Sequence, residues 1–307
     1  MTRKWLFFGA LVFVFCVCGL VQASVLVSYS SGANSADVPD YGWWYGCSAT
    51  SAGMAIGYYD INGYEGLRYD NLVPGGLAEY STFGGGSYIA NSAIASSGHI
   101  ADFYGGGYMA TGDDVASPWH NFDCLADFMG TSQDAYGNPN GGTTFWFWNN
   151  GAPMHWSDLQ TLGPAHYNSD GMYGIREYIQ YAGYDIVDAY SQCVDTVGLT
   201  YGFTWDQYVA EIDAGRVVLI QVQGHTMLGY DYTLEGELIH LYDTWSESDD
   251  HVMTWGGSYA GMQQYGVTVF ELMGGEGAAV PAPAALWLAV IGLSSWALVS
   301  RTRSRGN

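Results

Sequence analysis

From Tyr41 to Tyr59 the chain carries no charged residue: Tyr41-Gly-Trp-Trp-Tyr-Gly-Cys47-Ser-Ala-Thr-Ser-Ala-Gly-Met54-Ala-Ile56-Gly-Tyr-Tyr59. Small residues dominate from Cys47 onward, with Met54 and Ile56 as apolar anchors. A helix with no polar face has to be buried, so this run predicts a central helix over 47–59 around which the rest of the chain packs. Asp60-Ile-Asn62-Gly63 reads as the turn that ends it. Its Asp-x-Asn-Gly spelling is shared with calcium loops, but the further ligands of an EF-hand, including a distal Glu, are missing, so calcium is not expected.

The helix would begin at Cys47, where the positive end of the dipole favours a thiolate and lowers the thiol pKa. Far downstream come Gly224-His225 and then Asp243. A thiol at a helix start, with an imidazole and a carboxylate supplied by later strands, is the composition of an activated sulfur nucleophile.

The two ends suggest where that thiol resides. Thr2-Arg3-Lys4 is a basic segment, Trp5 to Leu20 an apolar one, and Val21-Gln22-Ala23 a small-residue cleavage site, the pattern of a secretory signal peptide over 1–23. At the other end Val280-Pro281-Ala282-Pro283 precedes an apolar run over 284–300, near the minimum of about 17 residues needed to span a bilayer. Arg301, Arg303 and Arg305 follow and would hold that end on the cytoplasmic side. The expected domain at 24–279 then lies outside the cytoplasm, with the apolar run as a transient membrane anchor. Between residues 24 and 280, three cationic side chains, Arg68, Arg176 and Arg216, stand against thirty carboxylates, a formal charge of −27. Such a surface repels nucleic acid and anionic lipid, and no nucleic-acid partner is expected.

Three cysteines lie in this stretch, Cys47, Cys124 and Cys193. An odd count in an oxidising compartment implies one disulfide and one remaining thiol. Pairing Cys124 with Cys193 leaves Cys47 reactive, whereas a bridge at Cys47 would remove the nucleophile.

Helical spacing recurs at Phe122, Leu125, Ala126 and Met129, with His120 near the start, and again over 173–181. Thr204 with Gln207 spells a capping box, followed by Tyr208, Val209 and Ile212 on one face. Residues 82–114, rich in Gly and Ser, read as loop with short elements. After Gly215 the period changes to strands over 217–222, 225–233, 237–243 and 266–273, giving an antiparallel sheet and an α+β class. A three-residue loop at Leu234-Glu235-Gly236 would set Thr233 opposite Glu237 and His225 opposite Trp245. Asp243 would then lie diagonal to His225 on the same face, and a register displaced by one residue would separate them. Other histidines, His99, His120, His155, His166, His240 and His251, show no His-x-x-x-His or Cys-x-x-Cys spacing, so neither a metal nor another cofactor is expected.

The C-terminal order of motif, apolar run and basic tail over 280–307 resembles the PEP-CTERM sorting signal, with Ala282 where that family has an acidic residue. The resemblance implies an exosortase and a signal peptidase as processing partners and delivery to the cell surface or an extracellular matrix. Trp44-Tyr-Gly-Cys47-Ser-Ala-Thr-Ser-Ala-Gly-Met54, the run Ile212-Asp-Ala-Gly-Arg-Val-Val-Leu-Ile220 leading to Gly224-His225-Thr-Met-Leu-Gly-Tyr-Asp231, and Leu241-Tyr-Asp243 resemble the papain-like cysteine peptidases, in the branch of the bacteriocin-processing peptidases. This resemblance implies a bilobal fold, a helical lobe bearing the nucleophile helix beside an antiparallel sheet lobe. It also implies Cys47 as nucleophile, His225 as base and acid, Asp243 as the group orienting the imidazole, and a peptide or protein substrate. The family usually has Gln six residues before the nucleophile as oxyanion donor. Here that position is Tyr41, whose hydroxyl is the candidate replacement. A catalytically silent binding or structural module of the same fold is the alternative.

Overall fold

A computed structural model of the chain describes residues 37–84, 86–105, 120–247 and 251–274. The expected signal peptide over 1–23, the apolar run over 284–300 and the sorting signal over 280–307 lie outside the described residues. Among the described residues, no helix is long and apolar enough to cross a membrane.

The elements in chain order are α1 (Cys47–Asn62), α2 (Ile89–Ile94), α3 (Ser97–Gly105), α4 (Leu125–Phe128), β1 (Met154–His155), α5 (Trp156–Leu162), α6 (Pro164–Tyr167), α7 (Gly171–Tyr181), β2 (Ile186–Cys193), α8 (Trp205–Asp213), β3 (Val218–Val222), β4 (His225–Thr233), β5 (Leu238–Tyr242), β6 (His251–Thr254), β7 (Ser258–Tyr259) and β8 (Met262–Leu272). The strands form one antiparallel sheet in the order β1-β2-β8-β3-β4-β5-β6, with β7 paired to β8. The class is α+β.

Strand alternation sorts the side chains into two cores. Val217, Leu219, Leu228, Tyr242, Phe270 and Leu272 pack with α1, α2, α4 and α7 on one face. Val218, Ile220, Met227, Ile239, Leu241 and Val267 pack with Tyr208 and Ile212 of α8 on the other. Period-two alternation with both faces covered explains why β3 is apolar at nearly every position, since neither set of its side chains meets water. As the sequence predicts, α1 is buried all round, from Ser48 to Asp60, and it extends three residues beyond Tyr59 before Gly63 caps it. Met54 and Ile56 are fully buried, each contributing about 1.5–3 kcal/mol of transfer free energy.

Capping chemistry fixes the other helix starts. Thr204 accepts from the Gln207 N–H while Gln207 returns a bond to the Thr204 N–H, the predicted capping box of α8. Asp170 caps α7 by accepting from Tyr173, which starts that helix two residues earlier than its apolar periodicity indicates. The helix expected around His120 to Met129 is a single turn, α4, because Gly130 at φ 60° ends it at once.

The hairpin of β4 and β5 corrects the expected register. Thr233 pairs with Leu238, one residue out of the expected Thr233–Glu237 pairing, because the loop has four residues and Glu237 adopts φ 49°. A bulge between Gly229 and Asp231 absorbs the extra residue, so that Gly229 pairs with Leu241 and Leu228 with Tyr242. At the far end of the hairpin the predicted phase is restored. That end carries His225 and Asp243.

Candidate active site

Cys47 is the first residue of α1, and His225 the first residue of β4 after a two-residue turn closed by Gly224 at φ 79°. α1 docks on β4 through buried hydroxyls. Ser48 Oγ and Thr226 Oγ1 lie 2.8 Å apart, and Ser51 Oγ donates to the Thr226 carbonyl at 3.0 Å. Thr226 Oγ1 also donates to Gln221 Oε1 at 2.8 Å, Gln221 Nε2 donates to Thr268 Oγ1 at 3.3 Å, and Thr268 Oγ1 lies 2.8 Å from Ser191 Oγ. This chain of satisfied buried polar groups runs from α1 across β4, β3 and β8 to β2, and it locks the sulfur-bearing helix end to the strand that begins with His225. None of it was read from the sequence, because Ser, Thr and Gln in strands carry no periodic signal.

Cys47 and His225 open onto one cavity of about 470 Å³, lined also by Trp43, Asn140, Gly141 and Trp245. The turn before the thiol is tight. Tyr45 takes φ 57°, and a side chain at Gly46 would meet Thr131 Cγ2 at 2.7 Å and the Gly141 carbonyl at 3.0 Å, so only glycine fits beneath Cys47. The Trp43 N–H donates to the Thr244 carbonyl at 2.8 Å, tying the segment before Cys47 to the segment after Asp243. Thr244 itself takes φ 67°.

Asp243 reaches His225 by a different route from the one expected. His225 Nε2 lies 2.8 Å from the main-chain carbonyl oxygen of Asp243, not from its carboxylate. A carbonyl only accepts, so Nε2 carries the proton and, in the neutral ring, Nδ1 is the basic nitrogen. The carboxylate is occupied elsewhere. Oδ1 accepts from the N–H groups of Trp245 at 2.8 Å and Ser246 at 3.2 Å, and Oδ2 accepts from the Tyr259 hydroxyl at 2.6 Å. These bonds turn the chain sharply after Asp243 and set the Trp245 indole against the imidazole, ring centres 4.0 Å apart. Strand β5 ends at Tyr242, so Asp243 belongs to the turn, and its side chain follows the turn and not the pleat.

Charge states follow from burial. Burial pushes the Cys47 thiol up, and hydrogen bonds from the backbone at Thr226 and from Ser48 offset this only in part. The expected lowering by the helix end is overturned, since removal from water outweighs it. Burial lowers the His225 imidazole, against the pull of the Asp243 carbonyl and charge. Burial also raises the Asp243 carboxyl, but the Tyr259 hydroxyl, the Trp245 N–H and His251 outweigh it and hold the group below its usual range. Thiol and imidazole therefore rest as a neutral pair at neutral pH, beside an ionised Asp243.

No protein-family model, curated protein or solved structure matches the chain.

Two other expected site residues lie elsewhere. Tyr41 is fully buried, its hydroxyl donates to the Glu79 carbonyl at 2.7 Å, and it presses on Gly57, where a Cβ would come within 2.5 Å of it. Gly57 is ten residues along α1 from Cys47, about 15 Å at 1.5 Å per residue, so Tyr41 cannot donate to an oxyanion at the sulfur. Cys124 and Cys193 are separate thiols and not a disulfide. Cys124 caps α4 inside the helical core, whereas Cys193 ends β2 opposite Gly266.

Proposed function

We propose that the chain is an extracytoplasmic cysteine peptidase of papain-like, bilobal design that cleaves peptide or related amide bonds through a thioester. The observation that carries this reading is the tautomer of His225: its Nε2 proton is held by the Asp243 carbonyl, leaving a basic Nδ1 on a ring that shares a cavity with the Cys47 thiol. In the reaction, His225 Nδ1 takes the thiol proton as sulfur attacks the substrate carbonyl carbon. The imidazolium then gives that proton to the departing amine, and water hydrolyses the thioester with His225 again acting as base.

The Cys47 backbone N–H at the start of α1 supplies one oxyanion donor. Tyr41 is remote and the Gln221 amide is engaged with Thr268, which leaves Asn140 as the cavity-lining side-chain amide with the chemistry of the second donor. An adjoining cavity of about 430 Å³, lined by Trp43, Trp44, Phe83 and Trp245, offers an apolar subsite. Among the described residues, neither cavity is lined by Lys, Arg, Asp or Glu, which fits a substrate that is uncharged and apolar next to the cleaved bond. The −27 charge of residues 24–280 favours cationic segments farther out by long-range attraction. Export, exosortase processing and retention at the surface or in a matrix belong to the same proposal and rest on the terminal sequence patterns.

The raised Cys47 thiol favours a second reading, a binding module of the same fold without turnover. Hydrolysis of a mixed peptide library separates the two. Cleavage products that vanish with Cys47→Ala support the peptidase, and products that persist in that variant, or that the parent chain never forms, reject it.

A further inference from the structure

Strand β8 breaks its pleat where it meets the candidate active site. Gly266 pairs with Gln221 and Gln264 with Val222, so Tyr265 between them is an extra residue that opposes nothing on β3. The residues of its own parity, Val267 and Val269, belong to the core under α8, and in unbroken alternation Tyr265 would point there too. Instead it lines the cavity that holds Cys47 and His225. A bulge beside a site re-aims a side chain, and here it turns a tyrosine into the cavity.

Two contacts fix Tyr265 in place. Its carbonyl accepts from the Val194 N–H at 3.0 Å, and its ring meets that of Phe147 edge-on, with centres 5.5 Å apart and planes inclined by 74°. The hydroxyl, by contrast, has no hydrogen-bond partner among the described residues. Burial pushes the phenol up to about 12, with Cys193 and Cys47 adding to the rise, so near neutrality it is an uncharged group able both to donate and to accept. A half-buried polar group with no partner in the chain is satisfied by water or by what enters the cavity.

The sheet order says where that group stands. Along β8-β3-β4-β5, Tyr265 lies two strands to one side of His225, about 10 Å at about 4.8 Å per strand, and Trp245 follows the strand on the other side. The aromatic subsite shares Trp43 and Trp245 with the main cavity and does not include Tyr265. A peptide that crosses His225 therefore meets an apolar wall at one end and a phenol at the other.

We propose that Tyr265 sets specificity at its end of the cavity, its hydroxyl receiving the carboxamide of a glutamine side chain across the cleaved bond from the aromatic subsite. An amide donates and accepts, as the phenol does. Phe145 and Val222 line the same cavity and suit the apolar stem of such a side chain. Among the described residues, no Lys, Arg, Asp or Glu lines the cavity, so an ammonium or carboxylate in that place would be buried without a counter-charge. The proposal rests on the cavity being the peptide site of the peptidase reading, but it concerns binding and does not require turnover.

The test measures affinity and turnover separately, with hexapeptides in which phenylalanine is fixed and the positions across the cleaved bond from it carry glutamine, norleucine, glutamate or lysine. Affinity is read by tryptophan fluorescence with the full chain carrying Cys47→Ala, and kcat/KM with the full chain itself. Glutamine should be preferred over the other three. In Tyr265→Phe, which keeps the ring against Phe147 and should retain the parent circular dichroism, the preference over norleucine should fall roughly 3- to 10-fold, the effect of one neutral hydrogen bond. Selective binding without cleavage by the parent rejects the peptidase reading and supports this one. No preference for glutamine, a preference that Tyr265→Phe retains in full, or binding of none of the peptides overturns the proposal.

Discussion

The Trp245 indole stacks on the His225 imidazole with ring centres 4.0 Å apart and planes inclined by 23°. Trp245 is half-exposed, its ring also lies 6.3 Å from that of Tyr259, and the turn that delivers it is built by the Asp243 carboxylate. Aromatic pairing of this kind is worth about 0.5–1.5 kcal/mol. Trp245→Ala is expected to lower kcat/KM by roughly 2- to 10-fold through a less ordered imidazole, with little change in melting temperature. Trp245→Phe should recover most of the loss. Steady-state kinetics of the two variants check this.

Because the main-chain carbonyl of Asp243 holds the His225 proton, the carboxylate is dispensable for the tautomer. Asp243→Asn keeps an oxygen acceptor for the Trp245 and Ser246 N–H groups and should retain activity within about tenfold of the parent, the effect of about 1.4 kcal/mol. Asp243→Ala loses the turn and should destabilise the fold by about 1.5–3 kcal/mol, as for loss of hydrogen bonds to a charged group. Denaturant unfolding alongside kinetics distinguishes the two effects. A collapse of activity in Asp243→Asn would mean that the carboxylate itself orients the ring.

The pH dependence follows from the opposite shifts of the pair. A thiol raised above its ordinary value is mostly protonated near neutrality, so alkylation of Cys47 by iodoacetamide should climb about tenfold per pH unit through pH 7 to 8, with no acidic plateau. Hydrolysis requires a neutral imidazole, and His225 is lowered, so the acid limb of kcat/KM should fall below the ordinary histidine value of about 6.5. Asp243 contributes to stability with the opposite bookkeeping of protons. Its folded pKa is depressed, so its contribution is present above the unfolded value of about 3.9 and is lost as pH falls through the folded one. Acid unfolding of the parent chain should therefore be steeper than that of Asp243→Asn.

Thr226→Val tests the hydroxyl chain that joins α1 to the sheet. It keeps the shape but leaves the Gln221 carbonyl oxygen buried without its donor, a cost of about 1–3 kcal/mol. The same change frees the N-terminal end of α1, so Cys47 labelling should slow as well. A stable, fully reactive variant would show that the chain is incidental to the site.

Those elements whose signal is local were legible in the sequence. The uncharged run after Cys47 reads as a buried helix, Thr204 and Gln207 mark the start of α8, and the apolar strands after Gly215 fall within a residue or two of β3, β4 and β5. Non-local arrangements were not legible. A four-residue turn and a bulge at Tyr230 displace the register in opposite senses and cancel, so the expected facing of His225 and Trp245 holds at the site for a reason that no turn rule contains. β2 was missed because Ile186 to Cys193 mixes polar and apolar residues and carries its own irregularity opposite β8. The helices α2 and α3 lie in a Gly- and Ser-rich stretch with little period of its own. Tyr41 illustrates a different limit: its offset of six residues from Cys47 suggested the oxyanion, but a large aromatic side chain finds more apolar contact over Gly57.

The most direct test of the central claim, that His225 activates Cys47 for acyl transfer, is mass analysis after exposure to a peptidyl vinyl sulfone with an aromatic side chain next to the reactive group. The account predicts a single adduct on the peptide containing Cys47, absent from His225→Ala and retained, more slowly formed, in Trp245→Ala. An unmodified Cys47, or one modified equally fast without His225, would contradict it.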